Sequence, residues 1–197
     1  METTIKVASI LGAEIRPYIE PLANLRIAIF KEWPYLYQGS LKYERVYLEK
    51  YARCPDSIVA LAIAKEQIVG ASTALPLVAA ENDFRDAFQG SGYSADEVLY
   101  LGESVLQPQY RGLGMGHHFF DAREAHARSL GLRYSAFCAV DRARNDPRRP
   151  ANARTLEPFW IQRGYVRHPE IKTTFDWREV GQTLESSNSL TFWIKEI

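Results

Sequence analysis

The apolar positions of this chain change period several times, and each change marks an element. Residues 5–10 alternate loosely, Ile5, Val7 and Ser9 against Lys6, Ala8 and Ile10, which is the two-residue period of a strand. From about Gly12 to Trp33 the steps lengthen to three and four, through Ile15, Ile19, Leu22, Leu25 and Ile29, and a helix is expected. Pro17 and Pro21 lie in its first half, so it starts late or kinks, and Trp33-Pro34 ends it. Tyr35 to Ser40 is an aromatic loop. Residues 41–53 read as a second helix with Leu41, Val46, Leu48 and Tyr51 turned inward, closed by Cys54-Pro55-Asp56. Residues 57–64 are almost all apolar, as in a strand buried on both faces. A polar turn follows, and residues 68–77 form the other arm of a hairpin, in which Gly70 marks a close backbone approach.

The second half repeats the alternation of periods. Residues 81–94 are polar and turn-rich, with one helical turn around Phe84–Phe88. Residues 98–106 are an apolar central strand carrying one carboxylate, Glu103, on the face of Leu99, Leu101 and Val105. Pro108 breaks the strand, and Gly112, Gly114 and Gly116 follow at alternate positions. Residues 115–130 then form a helix with Phe119, Ala122, His126 and Leu130 on one side and Glu124 and Arg128 as an exposed i, i+4 pair. Gly131 stops it. A strand at 133–140 includes Cys138, read as a small core residue, and a charged, proline-broken loop covers 141–151. A short helix at 155–163 and alternating strands at 172–180 and 190–197 complete the chain.

Composition narrows the classes. At 197 residues, 46% hydrophobic and 24% charged, the chain reads as one globular domain over 1–197. A formal net charge of zero argues against nucleic-acid binding by bulk attraction. Cys54 and Cys138 are far apart and form no C-x-x-C, which fits a reducing, cytoplasmic setting and gives no support to a metal site. His117 and His118 lack the H-E-x-x-H context of metal ligands. No signal-peptide pattern or bilayer-length apolar run stands out, so no membrane association is expected.

The chemistry concentrates at residues 99–117. Strand, glycine loop and helix start together suit phosphate. The first turn of a helix has N–H groups without internal partners and a partial positive charge, and glycines let the backbone approach an anion. No Ser, Thr, Asp or Asn stands at the expected cap position, so a ligand is the expected cap. The competing reading is a turn that only lets strand and helix pack tightly. A Walker loop would need Lys and Ser or Thr where His117 and His118 stand. The dinucleotide G-x-G-x-x-G is not matched by this G-x-G-x-G. Burial of Glu103 would raise its pKa and suit it to take a proton. Pairing with an arginine, or holding a substrate ammonium, are the alternatives.

These residues resemble the GNAT superfamily of N-acetyltransferases. Its motif (Gln/Arg)-x-x-Gly-x-(Gly/Ala) occurs in two registers, Gln109-x-x-Gly112-x-Gly114 and Arg111-x-x-Gly114-x-Gly116, and Phe159-Trp-Ile-Gln-Arg-Gly-Tyr165 resembles the family's later Phe-Tyr-x-x-x-Gly-Phe. The resemblance implies an α/β (α+β) fold with a mixed, splayed central sheet flanked by helices. It implies acetyl-CoA as co-substrate and no metal. Arg111, Gly112, Leu113, Gly114, Met115, Gly116 and His117 would take the diphosphate, His117 through its backbone N–H. The N–H groups near Val105 and Leu106 would polarise the thioester carbonyl. Glu103 would help deprotonate the amine of a small molecule or peptide, in direct transfer. Tyr35 and Tyr37 would line the acceptor site or else be half-buried surface aromatics, and Arg142, Arg144, Arg148 and Arg149 would either receive an anionic acceptor or the coenzyme's ribose phosphate, or pair internally with Asp. Trp160 stands where the family places its acid tyrosine, which leaves Tyr134, Tyr165, a tyrosine of the early loop, or water. A non-catalytic coenzyme A-binding module, transfer of a longer acyl group, and a homodimer stay open.

Overall fold

The computed structural model describes residues 4–197, so residues 1–3 of the expected domain lie outside the described residues. Seven strands form one sheet in the order β1-β2-β3-β4-β5-β7-β6: β1 (Ile5–Leu11), β2 (Ile58–Ala64), β3 (Gln67–Pro76), β4 (Val98–Leu106), β5 (Tyr134–Val140), β6 (Val166–Arg178) and β7 (Glu185–Glu196). β4 and β5 pair parallel and the other neighbours antiparallel. The helices are α1 (Ile19–Phe30), α2 (Leu41–Arg53), α3 (Asn82–Asp86), α4 (Met115–Ser129) and α5 (Glu157–Gln162).

The late start expected of the first helix is real. Gly12–Tyr18, which contains Pro17, winds as a 3-10 turn, and α1 begins only at Ile19. α1 and α2 cover one face of the sheet, Leu22, Leu25, Leu48 and Tyr51 packing on Val59 and Leu61. α4 covers the other, with Phe120 and Ala127 on Ile58, Ala74, Leu99 and Leu101. β2 therefore buries both faces, which explains its unbroken apolar run. The β2–β3 hairpin turns at Lys65 and Glu66, both at positive φ, the backbone a two-residue hairpin turn needs. Phe84 and Phe88 pack over Tyr100 and Phe192 on the half of the sheet that α1 and α2 leave free.

Some faces differ from the sequence pattern. Val46 is 63% exposed, and the buried stripe of α2 is Glu44, Leu48, Tyr51 and Ala52. Glu124 is buried rather than paired with Arg128 on the surface: it meets Lys195 and Arg163 and accepts a hydrogen bond from the Tyr165 hydroxyl. Both carboxylates face charged or hydroxyl partners from other elements, which a helical period does not reveal. β6 begins at Val166, earlier than expected, because its register shifts between His168 and Lys172 around Pro169 and hides the alternation.

Candidate active site

β4 places the site. Its pairing with β5 runs only through Val98/Tyr134, Leu99/Ser135 and Tyr100/Ala136. Beyond that β4 stays with β3 to Leu106 and β5 stays with β7 to Val140, so a gap opens between them. The Gln107 N–H donates to Val69 O at 2.9 Å, and by the alternation of an antiparallel ladder the Val105 N–H also points to β3. The N–H and C=O of Leu106 then face the gap. Consistent with this, the Leu106 carbonyl accepts from Arg111 Nε at 3.0 Å rather than from β3. Gly70 lies opposite Leu106; a Cβ there would stand 3.0 Å from the Val105 carbonyl oxygen and closer still to the Leu106 side chain.

A bulge turns Glu103. Ser72 pairs with Ser104 and Ala74 with Leu101, so Gly102 and Glu103 together oppose Thr73. Leu99 and Leu101 pack under α4, whereas Gly102 faces the Tyr47 and Tyr51 hydroxyls and Glu103 faces α1 and α2. The apolar setting expected for Glu103 on the Leu99/Leu101 face is therefore corrected to a polar one. The carboxylate is 8% exposed, lies 2.6 Å from Arg26 Nη1, and accepts a hydrogen bond from the Tyr47 hydroxyl at 3.0 Å. That hydroxyl meets Tyr51 at 2.9 Å. Arg26 also donates from Nε to the fully buried Glu44 and lies over the Tyr47 ring, 4.1 Å from its centroid. Burial disfavours the Arg26 charge, but the Glu103 and Glu44 carboxylates outweigh it and hold the guanidinium well above its ordinary pKa. Burial pushes the Tyr47 hydroxyl up as well, with the Glu103 charge adding to it, so it stays a protonated donor.

Arg26 and Tyr47 are the site residues the sequence pattern did not single out. A signal was present: Arg26 interrupts the stripe Leu22, Leu25, Ile29, and a charge inside an apolar stripe calls for an opposite one from another element.

Above Glu103 opens a cavity of about 480 Å3. The aromatic loop forms part of its wall, so Tyr35 and Tyr37 do line it, with Phe30, Tyr43, Tyr100 and Trp177. The loop is held in place by main-chain bonds. Gln38 N–H donates to Arg178 O at 2.8 Å, and the Tyr35 carbonyl accepts from Trp177 Nε1 at 3.1 Å and Arg142 Nη2 at 3.0 Å. Cys138 borders the cavity beside the gap, bonded to the Tyr100 hydroxyl; burial pushes its thiol up to about 12. Arg148 pairs with Asp146, the internal Arg–Asp pairing weighed for this loop, but it and Arg142 also pair with buried Glu179 outside the loop, which was not expected.

At the other end of the gap, α4 starts on Gly114 at φ 80° with no side-chain cap. Among the described residues, the N–H groups of 112–116 have no partner within the protein. A Cβ at Gly112 or Gly114 would meet nothing within 4 Å, so this side of the loop is open; at Gly116 it would stand 3.2 Å from the Phe159 ring. Met115 sends its side chain into the core and Leu113 outward, leaving their main chain at the loop. The N–H of His117, expected to face phosphate, is instead used on the Gly114 carbonyl at 2.9 Å, because the first turn of α4 closes on it; the ring stands edge-on to Phe159. Arg111 reaches Glu32 at 2.9 Å.

Neither Tyr134 nor Tyr165 lines the cavity. Tyr165 is held by Ser135 and Glu124, and Tyr134 packs on Tyr93. The Trp160 indole lies against Phe137 and Trp193, at 5.0 and 5.2 Å between ring centroids. Among the described residues, no group of three or more His, Cys, Asp or Glu is placed to hold a metal ion, and no helix is long and apolar enough to cross a membrane.

No family model matches the chain, and no curated protein matches it in sequence. Solved structures do match. A protein of Acinetobacter baylyi ADP1 assigned as an acetyltransferase superposes with a TM-score of 0.65 at 11% identity, over 100% of this chain and 95% of its own. The ribosomal-protein-alanine N-acetyltransferase of Brucella melitensis gives 0.60 at 15%, over 98% and 99%. An aminoglycoside N-acetyltransferase, AAC(6')-Iy, whose structure is a complex with CoA, gives 0.52 at 15%, over 75% and 82%. With its mixed sheet, the gap after Tyr100 and α4 behind the glycine loop, the chain has the fold of the GNAT acetyltransferases.

Proposed function

We propose that the protein is an N-acetyltransferase that takes an acetyl group from acetyl-CoA to an amine by direct transfer, both bound at once. One observation carries the reading: two openings of opposite chemistry meet along β4. The glycine loop presents unpartnered N–H groups at one end of the gap, and a carboxylate sits on the floor of an aromatic cavity at the other. The donor set fits the co-substrate. Residues 112–116 offer a row of main-chain donors at a helix start to a diphosphate, and the open side of Gly112 and Gly114 lets it approach. The exposed strand edges of β4 and β5 suit an amide-bearing arm that adds between them.

Acetyl-CoA supplies the acetyl group as a thioester, open to attack by a neutral amine. The Leu106 N–H, facing the gap, donates to the carbonyl oxygen as negative charge grows there. Glu103 accepts the proton that an incoming ammonium must lose, directly or through water. Arg26 and Tyr47 fix the carboxylate so that it needs no reorganisation. For the return of a proton, Tyr35 is the hydroxyl of choice. It lines the cavity, and burial raises its pKa, so it carries its proton at neutral pH.

Trp160 favours a second reading, a coenzyme A-binding module without turnover, since an indole in that position gives up no proton. Free-thiol release from acetyl-CoA across a panel of amines separates the two, because both bind coenzyme A and only an enzyme releases thiol. Glu103→Gln should lower kcat/KM by about 100-fold or more with coenzyme A affinity unchanged. Binding without thiol from any amine would establish the module instead.

A further inference from the structure

We propose that the acceptor is an amine with an aromatic body, an arylalkylamine-type cation; this rests on the transferase reading above. The floor of the cavity carries the charge. One guanidinium, Arg26, stands between two buried carboxylates, Glu44 and Glu103, and the buried Arg123 guanidinium donates to the Glu103 main-chain carbonyl at 3.1 Å from the α4 side. Of these carboxylates Glu103 is the one that lines the cavity, and an ammonium finds its counter-ion there.

The walls are aromatic. Tyr43 and Tyr47 lie near parallel, 14° apart with centroids at 6.5 Å, and Tyr37 meets Tyr43 edge-on at 6.4 Å. Across the cavity, Tyr35 packs on Trp177 at 6.1 Å. Such faces attract a cation and stack on a ring.

The rim is exposed and carries charges of both signs. Glu81 is paired with Lys50, and Glu185 stands opposite Arg178 in the β6–β7 register. Asp176 is exposed at the mouth, where solvent and salt screen it, so it draws cations inward without anchoring one.

The test uses the full chain with acetyl-CoA and four acceptors: 2-phenylethylamine, n-butylamine, spermidine and an alanine-initiated dipeptide amide. Thiol release gives kcat/KM, and calorimetry gives amine affinity. The expected result is a kcat/KM for 2-phenylethylamine about tenfold or more above the others. Tyr43→Ala should erase that advantage through KM and leave kcat nearly unchanged, and Tyr43→Phe should keep it. Tyr43 is half exposed, so both variants should fold. Preferred turnover of spermidine or of the dipeptide, or an advantage that survives Tyr43→Ala, overturns the assignment while leaving the transferase reading in place. Binding of 2-phenylethylamine that Tyr43→Ala weakens, with no thiol from any amine, upholds the ligand class and overturns the transferase.

Discussion

Gly114 separates the cost of folding from the cost of binding. It sits at φ 80° with open space where a Cβ would be, so a side chain there strains the backbone but strikes nothing. The left-handed conformation costs an L residue about 1–2 kcal/mol. In a chain of this size that lowers the melting temperature by about 2–8 °C. Binding should suffer more. A side chain on the open side of the loop stands between the N–H groups of 112–116 and any diphosphate. A hydrogen bond to a charged group is worth about 1.5–3 kcal/mol, so loss of two weakens coenzyme A by at least about 100-fold. Gly114→Ala and Gly114→Val should both lower the melting temperature, the β-branched valine more, with the valine also binding weaker. Calorimetric titration with coenzyme A beside thermal melts decides it. If melting falls as stated but Gly114→Val binds coenzyme A within threefold of the parent protein, the diphosphate does not lie on this helix start, and the functional reading goes with it.

Three further outcomes follow from buried groups. Arg26→Met leaves Glu44 buried without a countercharge and Glu103 with only Arg123, which lies on its main-chain carbonyl, and should cost about 3–5 kcal/mol in urea unfolding; adding Glu44→Gln should recover part of that loss, and strict additivity of the two would refute the coupling. Cys138, with its thiol pushed up to about 12 by burial, should react with a disulfide reagent at neutral pH only as the protein unfolds, and acetyl-CoA should leave no acetyl group on it; mass spectrometry of the folded protein after incubation checks both. Burial alone would raise the carboxyl of Asp141, but the Thr191 and Ser189 hydroxyls, Lys172 and Arg167 outweigh it and hold it below its ordinary value. Its contribution is thus complete above the unfolded pKa of about 4 and lost as pH falls through the lower folded value. Asp141→Asn should flatten the acid limb of stability below about pH 4, and an unchanged limb in acid titration would refute this.

Much of the architecture is local and was legible in the sequence. The apolar runs of β2, β3 and β4 and the helical period of α4 follow from side-chain direction, which alternates every residue in a strand, so that a strand buried on both faces is apolar throughout, and returns every three to four in a helix. The absence of a cap before Met115 and the three alternate glycines are equally local, and they predict an open helix start before any packing is known. Pro17 delays α1 for the same kind of reason: a missing N–H acts on its own turn.

What faces what was decided only by the assembled sheet. One extra residue in β4 at Gly102–Glu103 moves the carboxylate from the α4 side to the α1–α2 side, and no two-residue period can anticipate a register shift set by the pairing with β3. Glu103 then meets Arg26 and Tyr47, far away in sequence, just as Glu124 meets Lys195 and Arg163. A charge in an apolar stripe announces that a partner exists; only the fold says which one, because desolvated charges are stabilised by groups within a few ångströms, whatever their separation along the chain.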